Sequence, residues 1–198
     1  MNIALRRTRK YTLKKQKQDK IRLRELRSQV ANQEGFHAHH GRLLSILKID
    51  VENGSLETLV QFYDLVYHFF TFLDYQLVPT LEEYSNIVGL PILDEVAFSG
   101  IEPVPQFPAI ARALHLGASV VKAHLTYKGG LQGLPTKFLY QQASTLAEMA
   151  SNDAFYFVLA QLIYGLTLFP NVDDFVDINA IQIFLTKNVT PRSQKYVI

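Results

Sequence analysis

Seven cations within twelve residues, Arg6, Arg7, Arg9, Lys10, Lys14, Lys15 and Lys17, form the densest chemical signal in the chain. Closely spaced Lys and Arg suit phosphate, because each neutralises one backbone charge and releases a counterion. The same pattern also serves as a nuclear-import signal, and it equally describes a solvated leader. Tyr11 stands alone among these cations, so base stacking has little to work with. Two further groups carry possible metal chemistry. His37, His39 and His40 offer imidazoles, but the chain has no cysteine and the nearest carboxylate is Glu34. Zinc sites draw on spaced ligand pairs, so a surface linker is the expected reading there. Asp173, Asp174 and Asp177 offer hard oxygens for a cation, while Asp177 is equally a natural N-cap for a helix over 178–187.

Other chemistries find no complete constellation. The run KGGLQGLP at 128–135 lacks the G-K-[ST] of a phosphate loop, and reads as a helix end, a turn and Pro135 opening the next helix. No G-x-S-x-G or H-E-x-x-H occurs. Lys48, Lys122, Lys128, Lys137 and Lys187 fall at helix ends or on polar faces, whereas a Schiff-base lysine needs a desolvated pocket. The absence of cysteine excludes disulfides and thiolate ligands, and fits a reducing compartment. No catalytic residue, cofactor site or metal centre is therefore expected.

The elements that would position these residues read as helices. Leu23, Leu26 and Val30 stand at helical spacing, predicting a short basic helix over 20–30. Gly41–Ile49 reads as a short helix. Ser55 caps a long one from Leu56 to about Phe72, whose polar stripe is Glu57, Gln61, Asp64, His68 and Thr71. Thr80 and Glu83 have capping-box spacing, Leu81, Tyr84, Ile87 and Val88 share a face, and Gly89 and Pro91 stop the helix. Residues 92–107 read as a loop or short ribbon. Helices follow over 109–116, 120–127 and 135–150, the last with Phe138, Leu139, Leu146 and Met149 facing the core. The most apolar run, Phe155–Phe169, is too short for a bilayer span of about 20 residues, so it reads as a central core helix. Gly165 within it suits a close helix crossing.

Charge divides the chain. Residues 1–28 hold eleven Lys/Arg and two Asp/Glu, a net of +9, while the remainder nets −7. An apolar content of 48% is that of a folded domain. The expected organisation is a basic tail over 1–34, a helical body over 35–188 and a polar tail over 189–198. No apolar leader of secretory type is present.

Four blocks in order carry a resemblance: GRLLSILKI at 41–49, TLEEYSNIVGLP at 80–91, GLQGLPTKFL at 130–139 and LAQLIYGLTLFPNVDDFVDINAI at 159–181. Together, over roughly residues 35–186, they resemble the plant mobile domain, in its legume-type branch described as a plant domain of unknown function. The resemblance implies a module that travels with transposase and retroelement genes, some of whose host members act in genome silencing and meristem maintenance. Its members continue well beyond this length, so the chain looks like a short or truncated form. An aminotransferase-like label sometimes attached to that family finds no lysine site here. The expectation is an all-α, non-enzymatic interaction module with unknown protein partners, nuclear through its basic tail or otherwise cytoplasmic, and not membrane-bound. The alternative is a nucleic-acid-binding protein acting through residues 1–28.

Overall fold

A computed structural model describes residues 13–50, 53–64, 69–77, 80–89, 96–97, 107–170, 172–189 and 196–197. In chain order the elements are α1 (Leu13–Ser28), α2 (Gln33–His40), α3 (Leu43–Ile46), α4 (Asn53–Val60), β1 (Tyr63–Asp64), β2 (Phe69–Thr71), β3 (Gln76–Leu77), α5 (Leu81–Val88), β4 (Val96–Ala97), α6 (Phe107–Ala113), α7 (Ala118–His124), β5 (Thr126–Lys128), β6 (Leu131–Pro135), α8 (Thr136–Glu148), α9 (Asn152–Ile163), β7 (Phe175–Asp177), α10 (Ile178–Val189) and β8 (Tyr196–Val197). A π-helical turn, Tyr164–Leu168, extends α9.

The protein is mostly helical, but the all-α expectation needs correction: two three-stranded antiparallel sheets are built in, β1-β2-β3 and β5-β6-β7. The first replaces the C-terminal half of the long helix expected over 56–72. Helix α4 ends at Val60, and Tyr63 and Asp64 pair with Phe70 and Phe69. Aromatic residues fit a pleated, half-buried surface better than a helix, where they lose rotamer freedom. The second sheet overturns the helix-end reading of 128–135. Lys128 pairs with Leu131 across Gly129-Gly130, both at positive φ, making a tight hairpin. Pro135 closes β6 and occupies the N-cap position of α8.

The core gathers around α9. After Asn152 and Asp153 in its first turn it is apolar and aromatic apart from Gln161, and nine of its twelve residues are buried. Helices α8, α1 and α10 contact it, and β7 contacts the π-helical turn that extends it. Phe155–Phe169 therefore occupies the interior, as its composition indicates. Gly165 does admit a close approach, but by a strand: a Cβ there would overlap the Val176 side chain of β7. Gly133 is likewise pressed against the backbone of Val176 and Asp177. Phe138, Leu139 and Leu146 of α8 are buried, whereas Met149 is 70% exposed just past its end.

Local signals act as written elsewhere. Thr80 Oγ1 accepts from Glu83 N–H at 3.2 Å, and Thr80 N–H donates to the Glu83 carboxylate at 2.9 Å. Gly89 takes the left-handed conformation at φ 70°. Val88 is buried but Ile87 is half exposed, so the apolar face of α5 is narrower than its spacing implies. Asp177 Oδ1 accepts from Asn179 N–H at 2.8 Å and Ala180 N–H at 3.0 Å, capping α10. The basic helix α1 also joins the core: Leu23 and Leu26 are buried, as is Val30 just past its end, and Asn32 N–H donates to Tyr156 Oη at 2.9 Å. The edge of this core thus falls well before residue 34.

Candidate functional site

Arg6, Arg7, Arg9 and Lys10 lie outside the described residues. Lys14, Lys15 and Lys17 fall in the first half of α1. Farther along that helix the cations turn onto the body. Arg24 Nε donates to Leu47 O at 2.7 Å and its guanidinium meets Asp50 at 2.6 Å. Lys20 donates to Ile49 O and lies 3.5 Å from Asp50. The Arg24 hydrogen bond, then its charge, holds the Asp50 carboxyl below the usual carboxylate range. Arg22 sits over the Tyr140 ring at 5.6 Å. Burial drives the Tyr140 phenol well above its ordinary pKa, with nearby Asp19 adding to the effect. Lys20, Arg22 and Arg24 are therefore engaged with the fold itself.

The histidines are not a surface linker. Residues 33–40 form α2, with Asn32 capping Gly35 N–H at 2.8 Å. His37 and His39 are exposed, but His40 is buried with its ring 4.8 Å from Phe36, 5.1 Å from Phe157 and 5.9 Å from Phe184. Helix α9 also holds one buried amide. Gln161 is fully buried, and neither its Oε1 nor its Nε2 has a hydrogen-bond partner. It stands one turn from Phe157 and three residues before Tyr164, hence on the same helical face.

The carboxylates at 173–177 do not converge. Asp173 and Asp174 are exposed at a turn, Asp173 O accepts from Lys128, and Asp177 caps α10. Among the described residues no group of three His, Cys, Asp or Glu side chains is placed to hold a metal ion. Lys48, Lys122, Lys128 and Lys137 are all exposed.

A different surface assembles around β1–β3. The chain turns tightly from Phe72 to Tyr75, with Phe72 N–H donating to Tyr75 O at 2.9 Å. The rings of Phe62, Phe72 and Tyr75 form a near-parallel stack, with centroids 4.8 and 4.7 Å apart and tilts of 28° and 21°. Tyr75 and Leu77 are exposed and Leu73, at the tip, is 99% exposed. Asp74 sits in the same turn, and Glu82 and Glu83 begin the helix that follows β3. The surface lies within a stretch, residues 49–111, that contains ten Asp/Glu and no Lys or Arg. That absence of cations is the signal by which sequence reasoning finds the region; the stacking and exposure follow only from the fold.

With this geometry in place, comparison with known proteins gives one match. The family model described as a domain of unknown function (DUF7745) covers residues 23–195. No curated protein and no solved structure matches the chain.

Proposed function

We propose that this chain, which belongs to the DUF7745 family of unknown function, is a non-enzymatic binding module whose partner surface is the aromatic turn of β1–β3. The supporting observation is the stack of Phe62, Phe72 and Tyr75, with Phe62 and Tyr75 exposed, beside a fully exposed Leu73. Large apolar groups left in water around rigid aromatic anchors favour association. The resemblance of the four sequence blocks to the plant mobile domain extends the proposal to a plant protein of transposon-related origin, nuclear through its basic segment or otherwise cytoplasmic. No helix among the described residues is long and apolar enough to cross a membrane. The test is affinity capture with the full chain against Leu73→Ser and Tyr75→Ser. Partners lost in both variants support the reading; identical capture by all three proteins overturns it.

A second reading rests on the eleven Lys/Arg of residues 1–28. It is nucleic-acid binding through Arg6, Arg7, Arg9, Lys10, Lys14, Lys15 and Lys17, in genome or transposon silencing. A DNA mobility shift weakening steeply with salt, and lost when these seven become Gln, is the expected result.

A further inference from the structure

We infer that the acidic aromatic surface of β1–β3 and α5 binds a lysine- and arginine-rich peptide, and that its occupant is this chain's own N-terminal segment, residues 6–12. The inference rests on the binding-module reading and names the partner of that surface.

Two independent properties of the surface select the same chemistry. The first is charge. Asp74, Glu82 and Glu83 are exposed there, within a stretch of sequence, residues 49–111, that holds ten Asp/Glu and no Lys or Arg. Such a field repels nucleic acid and anionic lipid, and it repels the same surface on a second copy, because like charges brought face to face cost several kcal/mol. A cationic partner is attracted instead. The second is the aromatic stack. Phe62, Phe72 and Tyr75 lie nearly parallel, and Phe62 and Tyr75 are exposed. The faces of such rings are negative and attract Lys and Arg side chains. Asp74 within the turn and Glu82 just after β3 stand ready to take the remaining cations as ion pairs.

The N-terminal segment supplies the complement. Residues 6–12, just ahead of α1, hold four Lys/Arg and no Asp/Glu. The contact has already begun in the fold, since Lys20 and Arg24 grip Ile49 and Asp50 where the acidic stretch starts. Twelve residues precede α1, and an extended strand of that length reaches about 40 Å. A domain of this size has a radius of gyration of about 16 Å, so such a strand reaches well around its surface. Cations held on this surface are not available to phosphate. Self-docking and nucleic-acid binding by residues 6–12 therefore exclude one another.

Zero-length carbodiimide coupling of the full chain at low salt, read by peptide mass spectrometry, tests the inference. Amide links from Lys10 to Asp74, Glu82 or Glu83 are expected, whether within one chain or between two copies. They fall at least about tenfold in about 0.5 M salt, where the screening length shrinks to a few ångströms. They fall about threefold in Tyr75→Ser, which leaves every carboxylate in place and removes one cation–π face. Thermal unfolding of that variant within about 2 °C of the parent establishes that it is folded. Absence of these links, or links of equal yield in high salt and in Tyr75→Ser, overturns the inference. If they are absent while Leu73→Ser and Tyr75→Ser still lose captured partners, the surface binds something else and only the choice of occupant falls.

Discussion

The stretch from Leu131 to Leu185 and the stretch from Ile49 to Ile87 are both rich in aromatic and aliphatic residues, yet they use them in opposite ways. The first builds elements of twelve and thirteen residues and hides their apolar faces: Phe138, Leu139, Phe155, Val158, Leu159, Leu162 and Phe184 are all buried. The second builds strands of two or three residues, and among its described residues no apolar side chain is buried. Seven of the eleven large apolar residues exposed among the described ones fall within it. The difference separates two duties. The later region supplies the stability of the domain, and the earlier one holds apolar and acidic groups in water, where contact with a partner gains most.

Four substitutions can break or sharpen that contrast. Phe184→Ala removes a ring packed against His40, Phe157 and Tyr164, and leaves a cavity at the centre. A loss of about 3–5 kcal/mol in denaturant unfolding is expected; a change below 1 kcal/mol would remove the claim that stability resides here. Asp177→Ala strips two N–H groups of their acceptor at the start of α10, and should lower stability by about 1–2 kcal/mol. Gln161→Met has the opposite sign. It replaces an unpartnered buried amide by an apolar side chain of similar shape, and should raise stability by about 1 kcal/mol. At this chain length that is a rise of about 2–4 °C in melting temperature, and a fall instead would mean the amide is in use. Tyr75→Ser, on the exposed stack, should move stability by less than about 0.5 kcal/mol while altering association. A large loss there would make the aromatic turn part of the scaffold.

What could be read from the sequence was local. The Thr80–Glu83 capping box, the left-handed Gly89 and the Asp177 cap each depend on residues within four positions of one another, and each stands where the spacing places it. The interior position of Phe155–Phe169 follows from composition alone. What escaped depends on distant partners. The run from Tyr63 to Thr71 presents a helix-like polar stripe, but Phe70 pairs with Tyr63 and Leu77, and nothing within one helical turn announces that. Gly129-Gly130 is equally good as a helix end and as a hairpin; the strand β7, some forty residues on, decides between them by pairing with β6. His40 looks like a neighbour of His39 until α9 and α10 enclose it. The basic segment is visible as composition, whereas the aromatic surface requires knowing which rings remain in water.

Helix α1 carries a consequence for how the protein is made. Its buried residues, Leu23 and Leu26, lie on a helix that contacts α9 and the π-helical turn, and Asn32 reaches Tyr156, 124 residues later. A ribosome adding about 5–20 residues per second needs several seconds or more to cover that distance. For that interval the greasy side of a strongly cationic helix has emerged with no native surface to receive it. A newly made chain halted before α9 would therefore be a client for a chaperone.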